Sequence, residues 1–353
     1  MNMKLLLSIS VSLAALVLLT GVSCTRQELP GGAVTITLSS GRPETRGEVE
    51  IADGSEIYRD SGTGDPDLIV LLFNAEGNLT AKYPDFGQIV SNPTPFDLMV
   101  RIGSDTDGNP IASGDYTVYA LANTAKLTTD GWPLTSETIA GITSQAQADA
   151  LLFNAAPPAS VTRMPLVAKG SLSVDAEGRG NATLNLQRPV ARVTVRFVNQ
   201  YGDDLILTPF NFTLHGVNPD RGYLFPHTPD IPAGITYGDI SRNIASPSSA
   251  VLPDNTDPAN PVYEISSLVY PGEGPYSCAL SFSITKVGDN TVDPARAFVY
   301  DNLPVHNRRG EDIPSIARNQ SLAVTITISK GEMLSFSFEV GGWTEKTETV
   351  TFD

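Results

Sequence analysis

The side chains able to do covalent or metal chemistry in this chain are few, and their spacing decides what is open to them. Two cysteines are present, Cys24 and Cys278. Cys24 stands directly behind Ser23 and a single hydrophobic run, Leu5–Leu19, which Lys4 precedes. A short positive segment, an apolar stretch too short for a permanent span and a small residue at the break have the layout of a secretory signal peptide. A thiol at that junction has the placement of a lipobox cysteine, which is diacylated and becomes the first residue of the mature protein. The position three before it holds Gly21, where Leu, Val or Ile is usual. The expectation is a lipoprotein signal over residues 1–23, lipidation of Cys24, and membrane lipid as the partner of that acylated cysteine.

The histidines offer much less. His215, His227 and His306 are far apart, and none has a second His or Cys at ligand spacing. Metal sites and nucleophile–base pairs need several such groups to converge. No catalytic residue, metal or cofactor is expected, and an enzyme is disfavoured. Asp105-Thr106-Asp107-Gly108-Asn109 carries the carboxylates of a calcium loop, but its glycine comes early and no glutamate stands at the twelfth position. It reads as a hairpin tip. Gly178-Arg179-Gly180 precedes no helix start and is no phosphate cradle.

One polar stretch does invite a reaction. Ser39 to Gly47 (SSGRPETRG) carries two arginines. Pro43 blocks the bond after Arg42 to most trypsin-like proteases, whereas Arg46-Gly47 is an open scissile bond on a polar, flexible stretch. Just before it lies an alternating strand, Val34–Leu38, with Val34, Ile36 and Leu38 on one face.

The elements around these residues are almost all strands. Leu68–Phe73 is continuously apolar, as a strand covered on both faces should be. Tyr116–Leu121, Val193–Val198, Leu280–Ile284 and Leu322–Ile328 follow, most of them alternating cleanly, and 30 Gly and 26 Pro punctuate the chain. Only Ser144–Leu152 reads as helical. Many short strands with such turns predict β-sandwiches. The boundary is expected near Ala176–Gly180, giving a propeptide over 24–46 with a removable first strand and sandwiches over 47–178 and 179–353. Asn218–Val262 reads as a surface excursion, and no repeat of residue identity is visible. Val70, Leu72, Val118, Ala120, Val193, Val195, Val324 and Ile326 are expected in the cores.

Charge narrows the partners. The chain has 39 acidic and 23 basic side chains, and removing Lys4 with the signal takes the net charge from −16 to −17. Nucleic acid and anionic lipid surfaces both demand a basic patch, so neither is an expected electrostatic partner. With Cys24 acylated, Cys278 has no disulfide mate and is expected to be a small buried hydrophobe.

Several stretches taken in order, Leu68–Leu79, Asp115–Asn123, Met164–Leu166, Leu186–Val195 and Val340–Trp343, resemble those of the Bacteroidetes fimbrillins, lipoprotein-precursor subunits of type V pili. The resemblance spans nearly the whole chain. It implies two tandem transthyretin-like antiparallel β-sandwich domains, export to the outer membrane as a lipoprotein, trimming by an arginine-specific protease, and polymerisation with other fimbrial subunits by strand exchange. On that reading, cleavage between Arg46 and Gly47 removes the strand of Val34, Ile36 and Leu38. The alternating C-terminal stretch Lys346–Phe352, with Thr347, Thr349, Val350 and Phe352, then serves as donor strand. The competing reading is a monomeric surface lipoprotein that binds glycan or host protein through its sandwich loops, for which an exposed Trp132 would be a platform; a buried loop anchor is the stronger expectation for that residue.

Overall fold

Period-two alternation becomes strand wherever it is strong. The computed structural model describes residues 33–39, 57, 66–90, 97–159, 161–244, 250–252, 263–286, 297–307, 309–329 and 334–342. In the first half these form β1 (Val34–Ser39), β2 (Leu68–Phe73), β3 (Leu79–Tyr83), β4 (Gly87–Val90), β5 (Asp97–Ile102), β6 (Gly114–Ala122), β7 (Leu152–Phe153), β8 (Leu166–Val174) and β9 (Gly180–Asn185). Two four-stranded sheets, β4-β5-β1-β9 and β3-β2-β6-β8, enclose a core that includes Val34, Ile36, Leu38, Val70, Leu72, Val100, Val118, Ala120 and Leu184.

The second half contains β10 (Ala191–Gln200), β11 (Leu205–Pro219), β12 (Gly222–Tyr223), β13 (Tyr237–Ile244), β14 (Ala250–Leu252), β15 (Tyr263–Val269), β16 (Gly272–Glu273), β17 (Ser277–Lys286), β18 (Ala297–Pro304), β19 (Ser315–Ile316), β20 (Gln320–Ser329) and β21 (Leu334–Gly342). Sheets β15-β10-β20-β21 and β13-β11-β17-β18 close over Val193, Val195, Phe197, Phe210, Phe212, Cys278, Phe282, Val324 and Ile326. The Asn218–Val262 tract supplies β12, β13 and β14, and β13 and β14 pair with β11 rather than standing apart.

Three expectations change in detail. The sheets are not wholly antiparallel, because β1 runs parallel to β9 and β10 parallel to β20. Parallel neighbours need a long crossover, and each pair here spans almost the full length of its own half. The division expected at 178/179 falls in the tight turn between β8 and β9, where Asp175 Oδ1 accepts the amides of Glu177 and Arg179. Since β9 pairs with β1 and Ala182, Leu184 and Leu186 lie in the first core, that core runs on to Leu186. Lastly, the helical stretch is α3 (Gln145–Asp149), closed by a capping box of Ser144 and Gln147. Two further five-residue helices, α1 (Ala125–Thr129) and α2 (Ser136–Ala140), precede it.

A third core explains the unbroken apolar run of β2. Leu68, Val70 and Leu72 point into the first sandwich. Leu71 and Phe73 point the other way, into a cluster with Tyr119, Leu121, Trp132, Ile139 and Phe153, and with Val190, Leu224, Phe225 and Tyr270 from the second half. Tyr119 meets Phe73 and Phe225 edge-on, at 5.4 Å and 5.0 Å between ring centres. The short pair β7–β12 bridges the same two halves. Arg318, 6% exposed, locks the neighbouring loop: its guanidinium binds Asp230 and donates to the carbonyls of Tyr223, Leu224 and Phe225.

Candidate functional site: the slot that holds the first strand

Alternation in Val34-Thr35-Ile36-Thr37-Leu38 places three apolar side chains on one face, and the sheet takes that face inward. Val34, Ile36 and Leu38 are 0%, 0% and 1% exposed, while Thr35, Thr37 and Ser39 on the outer face are half-buried. β1 is one strand in from the edge of its sheet. All six of its residues pair on both sides: antiparallel with β5, where Val34, Ile36 and Leu38 face Ile102, Val100 and Leu98, and parallel with β9, where the same residues face Gly180, Ala182 and Leu184. A last bond from the Leu186 amide to the Ser39 carbonyl (3.0 Å) closes the end.

The walls are themselves alternating strands. Leu98, Val100 and Ile102 of β5 and Ala182 and Leu184 of β9 are buried in the same core. Gly170 on β8 leaves the space that Leu184 fills, since a Cβ there would collide with Leu184 Cδ2. Burying Val34, Ile36 and Leu38 stabilises the assembly by roughly 1.5–3 kcal/mol per side chain. Without β1, β5 and β9 would face each other across a gap as two edges with unpaired N–H and C=O groups above three apolar pockets, a template for an added strand.

The other candidate residues stay apart. His215 Nδ1 lies 3.0 Å from Asp239 Oδ2, His227 Nδ1 lies 2.9 Å from the Pro229 carbonyl with its ring stacked on Tyr223, and His306 Nδ1 lies 3.0 Å from Asp312 Oδ1. Among the described residues no three His, Cys, Asp or Glu side chains gather as a metal group. Asp105 Oδ1 accepts the amides of Asp107 and Asn109, so that carboxylate is spent on its own turn. Cys278 is fully buried, and burial pushes its thiol up to about 11. Trp132 is 4% exposed and packs on Phe153, which removes it as a surface platform. Cys24, Arg46, Gly47, Thr347, Thr349, Val350 and Phe352 lie outside the described residues. The slot walls β5 and β9 were the site residues that sequence reasoning passed over, although Leu98-Val100-Ile102 and Ala182-Leu184 alternate as plainly as β1 does.

A family model described as "Fimbrillin-A associated anchor proteins Mfa1 and Mfa2" matches residues 67–349 of the 353. The chain belongs to this family. Its fold is that of a candidate cell adhesion protein from Bacteroides eggerthii (14% identity, TM-score 0.52, covering 89% of this chain and 96% of that one). A second candidate cell adhesion protein, from Parabacteroides distasonis, is similar at 10% identity and a TM-score of 0.53, covering 90% and 99%. The tip fimbrial protein Mfa3 from Porphyromonas gingivalis, with a C-terminal truncation, matches at 13% identity and a TM-score of 0.47, covering 89% and 100%. No curated protein sequence matches the chain. The fimbrillin-associated family is a family of fimbrial structural proteins, and membership places this chain among fimbrial proteins.

Proposed function

We propose that the chain is a structural subunit of a surface fimbria, joined to its neighbours by protease-triggered strand exchange and contributing to adhesion. It is exported as an outer-membrane lipoprotein through Cys24 and cut by an arginine-specific protease between Arg46 and Gly47. The cut frees β1 from the covalent chain. A neighbouring subunit then supplies the strand that fills the slot, and Lys346–Phe352, through Thr347, Thr349, Val350 and Phe352, is this subunit's own donor stretch. Because slot and donor are different surfaces, the contact is heterologous and can propagate as a fibre. Until the cut, β1 keeps the slot shut.

The observation that carries this reading is the seat of β1. The alternating strand β1, followed within a few residues by an open Arg-Gly bond, fills a two-sided slot with three fully buried side chains. The test is to cut the purified precursor at Arg46 and add the other subunits of the fimbria. The cut chain should exchange its β1 fragment for a partner strand and enter filaments visible by electron microscopy, whereas Arg46→Ala should stay a folded monomer. Equal incorporation of the Arg46→Ala protein would end the proposal.

A further inference from the structure

The dipeptide Arg46-Gly47 has three copies elsewhere in the chain: Arg179-Gly180, Arg221-Gly222 and Arg309-Gly310. Arg163-Met164 is a further arginine bond outside the strands that no proline blocks. Sequence alone does not separate these bonds, but the fold does. Cleavage needs more than an accessible arginine. The chain must lie extended in the protease cleft with its N–H and C=O groups paired to the enzyme, as an added strand would be, and the guanidinium must enter the enzyme's pocket. A bond held in a closed turn is cut only from the opened form, at a rate set by how often the turn opens.

Arg179 and Arg309 sit in the same five-residue turn. In the first, the Asp175 amide donates to the Arg179 carbonyl at 2.9 Å and the Gly178 amide to the Asp175 carbonyl at 3.0 Å. In the second, the Asn307 amide donates to the Glu311 carbonyl at 2.8 Å and the Gly310 amide to the Asn307 carbonyl at 2.9 Å. Gly178 and Gly310 take φ of +74° and +76°. The first side chain then closes each turn from within. Asp175 Oδ1 accepts the amides of Glu177 (3.0 Å) and Arg179 (2.7 Å), and Asn307 Oδ1 those of Arg309 (2.8 Å) and Glu311 (3.1 Å). The arginine N–H that a protease must bond is already taken. Arg163 meets the same condition in an unrelated loop. There Asp130 Oδ2 accepts the amides of Thr162 at 2.8 Å and Arg163 at 3.1 Å, and the Met164 carbonyl accepts Asn123 Nδ2 at 2.6 Å.

Two guanidinium groups are held as well. Arg179 donates to Asp175 Oδ2 and Glu177 Oε2, both at 3.1 Å. Arg221 grips Asp220 through Nε at 3.2 Å and Nη2 at 3.1 Å, and its bond to Gly222 leads straight into β12, where a Cβ would lie 2.6 Å from the Tyr270 ring. The turn has a wider use in joining strands, since it recurs at residues 74–78 and 105–109 with no arginine inside it. Where an arginine does fall in it, the arginine amide is closed off.

Resting on the processing reading above, we infer that Asp130, Asp175 and Asn307 direct arginine-specific processing by withholding the amides of Arg163, Arg179 and Arg309 from the protease. Both sandwiches then pass through processing uncut at these loops. An Arg-Gly dipeptide is inert wherever such an oxygen caps the arginine amide, so these three side chains set the specificity of the cut from the substrate's side.

The test is limited digestion of the folded, unlipidated precursor with clostripain, an arginine-specific protease, with cut sites read by mass spectrometry. Cuts after Arg163, Arg179, Arg221 and Arg309 should be at least about 100-fold slower than the cut after Arg46. Asn307→Ala should speed cutting within residues 307–311, and Asp175→Ala cutting after Arg179, each by at least about tenfold for the two hydrogen bonds lost. Asn307→Asp keeps the acceptor and should stay slow. Asp105→Ala, which opens the same turn where no arginine lies, should speed none of the four cuts. A cut at any of the four within about threefold of the Arg46 rate overturns the inference, as do alanine variants cut no faster at their own turns. Acceleration at all four by Asp105→Ala also overturns it, because general loosening then explains the cuts. If the bond after Arg46 resists while Asn307→Ala still opens its own turn, the processing reading falls and the guarding stands.

Discussion

Truncating the central side chain of β1 gives the sharpest physical test of the slot. Ile36 is fully buried and faces Val100 on one side and Ala182 on the other. Ile→Ala in a close-packed core costs about 2–5 kcal/mol, as transfer free energy plus the cavity left behind. In the intact precursor this loss is spread through the unfolding free energy of the first sandwich. Once the chain is cut after Arg46, the same loss becomes a loss of binding free energy between the seated fragment and the body. At 1.4 kcal/mol per factor of ten, the Ile36→Ala fragment should be held about 30- to 4,000-fold more weakly. Fluorescence anisotropy of a fragment labelled at Cys24 of the unlipidated chain measures this directly. Thr35→Ala is the control: that side chain is half-buried on the outer face, and losing a β-branched residue from a strand there costs about 1 kcal/mol, roughly fivefold. An Ile36→Ala fragment retained within threefold of wild type would refute the claim that these pockets hold the strand. So would a fragment that leaves only when the whole body unfolds.

Other outcomes follow from single side chains. Cys24→Ala should abolish lipid labelling and leave the precursor out of the membrane fraction, as read by palmitate incorporation; unchanged partitioning would rule out lipid anchorage at this residue. Raising the Cys278 thiol from 9.0 to about 11 leaves about 100-fold less thiolate at pH 8, so alkylation of that thiol in the folded protein should be slower by at least that factor and should recover on denaturation. Arg318→Met should lower the unfolding free energy by about 3–5 kcal/mol in a denaturant titration, because it strands Asp230 and the carbonyls of Tyr223, Leu224 and Phe225; a loss below 1 kcal/mol would make that contact incidental.

How far the residues alone announce this structure depends on the range of the interaction that decides each feature. Val34–Leu38, Leu68–Phe73 and Leu322–Ile328 become strands with the expected faces inward, and all eight expected core positions are buried, because alternation is a local signal. The partners of a strand are not local. Nothing in Val34–Leu38 says that it runs parallel to Gly180–Asn185, and the turn Asp175–Gly180 reads equally well as a boundary or a hairpin until its two arms are paired. α1 and α2 escape notice since five residues are too few to display a 3.6-residue period. The slot illustrates both cases: its occupant was legible, whereas its walls required knowledge of what lay beside it.

The same limit conceals a repeat. β1 is antiparallel to β5 and parallel to β9; β10 is antiparallel to β15 and parallel to β20. The covering sheets, β3-β2-β6-β8 and β13-β11-β17-β18, have the same order of antiparallel neighbours, apart from the extra strand β14 beside β11. Pairing order needs only alternation and connection length, so it recurs here without identity of residues. Each sandwich thus has an inserted strand between an antiparallel and a parallel neighbour, yet the two are tied very differently. β10 continues at its start into Leu186, Arg188 and Val190, all buried, and at its end into Asn199 and Tyr201, also buried. The arginine before β10 is doubly protected, since Pro189 follows it and its guanidinium donates to Asn319 Oδ1 at 3.2 Å. Of the two arginines that closely follow β1, Arg42 is likewise followed by proline, but Arg46 has glycine behind it. A protease needs an accessible, unblocked bond. Of two slots with the same pairing, that of β1 is the one followed closely in sequence by an arginine bond that proline does not block, Arg46-Gly47, so that is the strand we assign to removal.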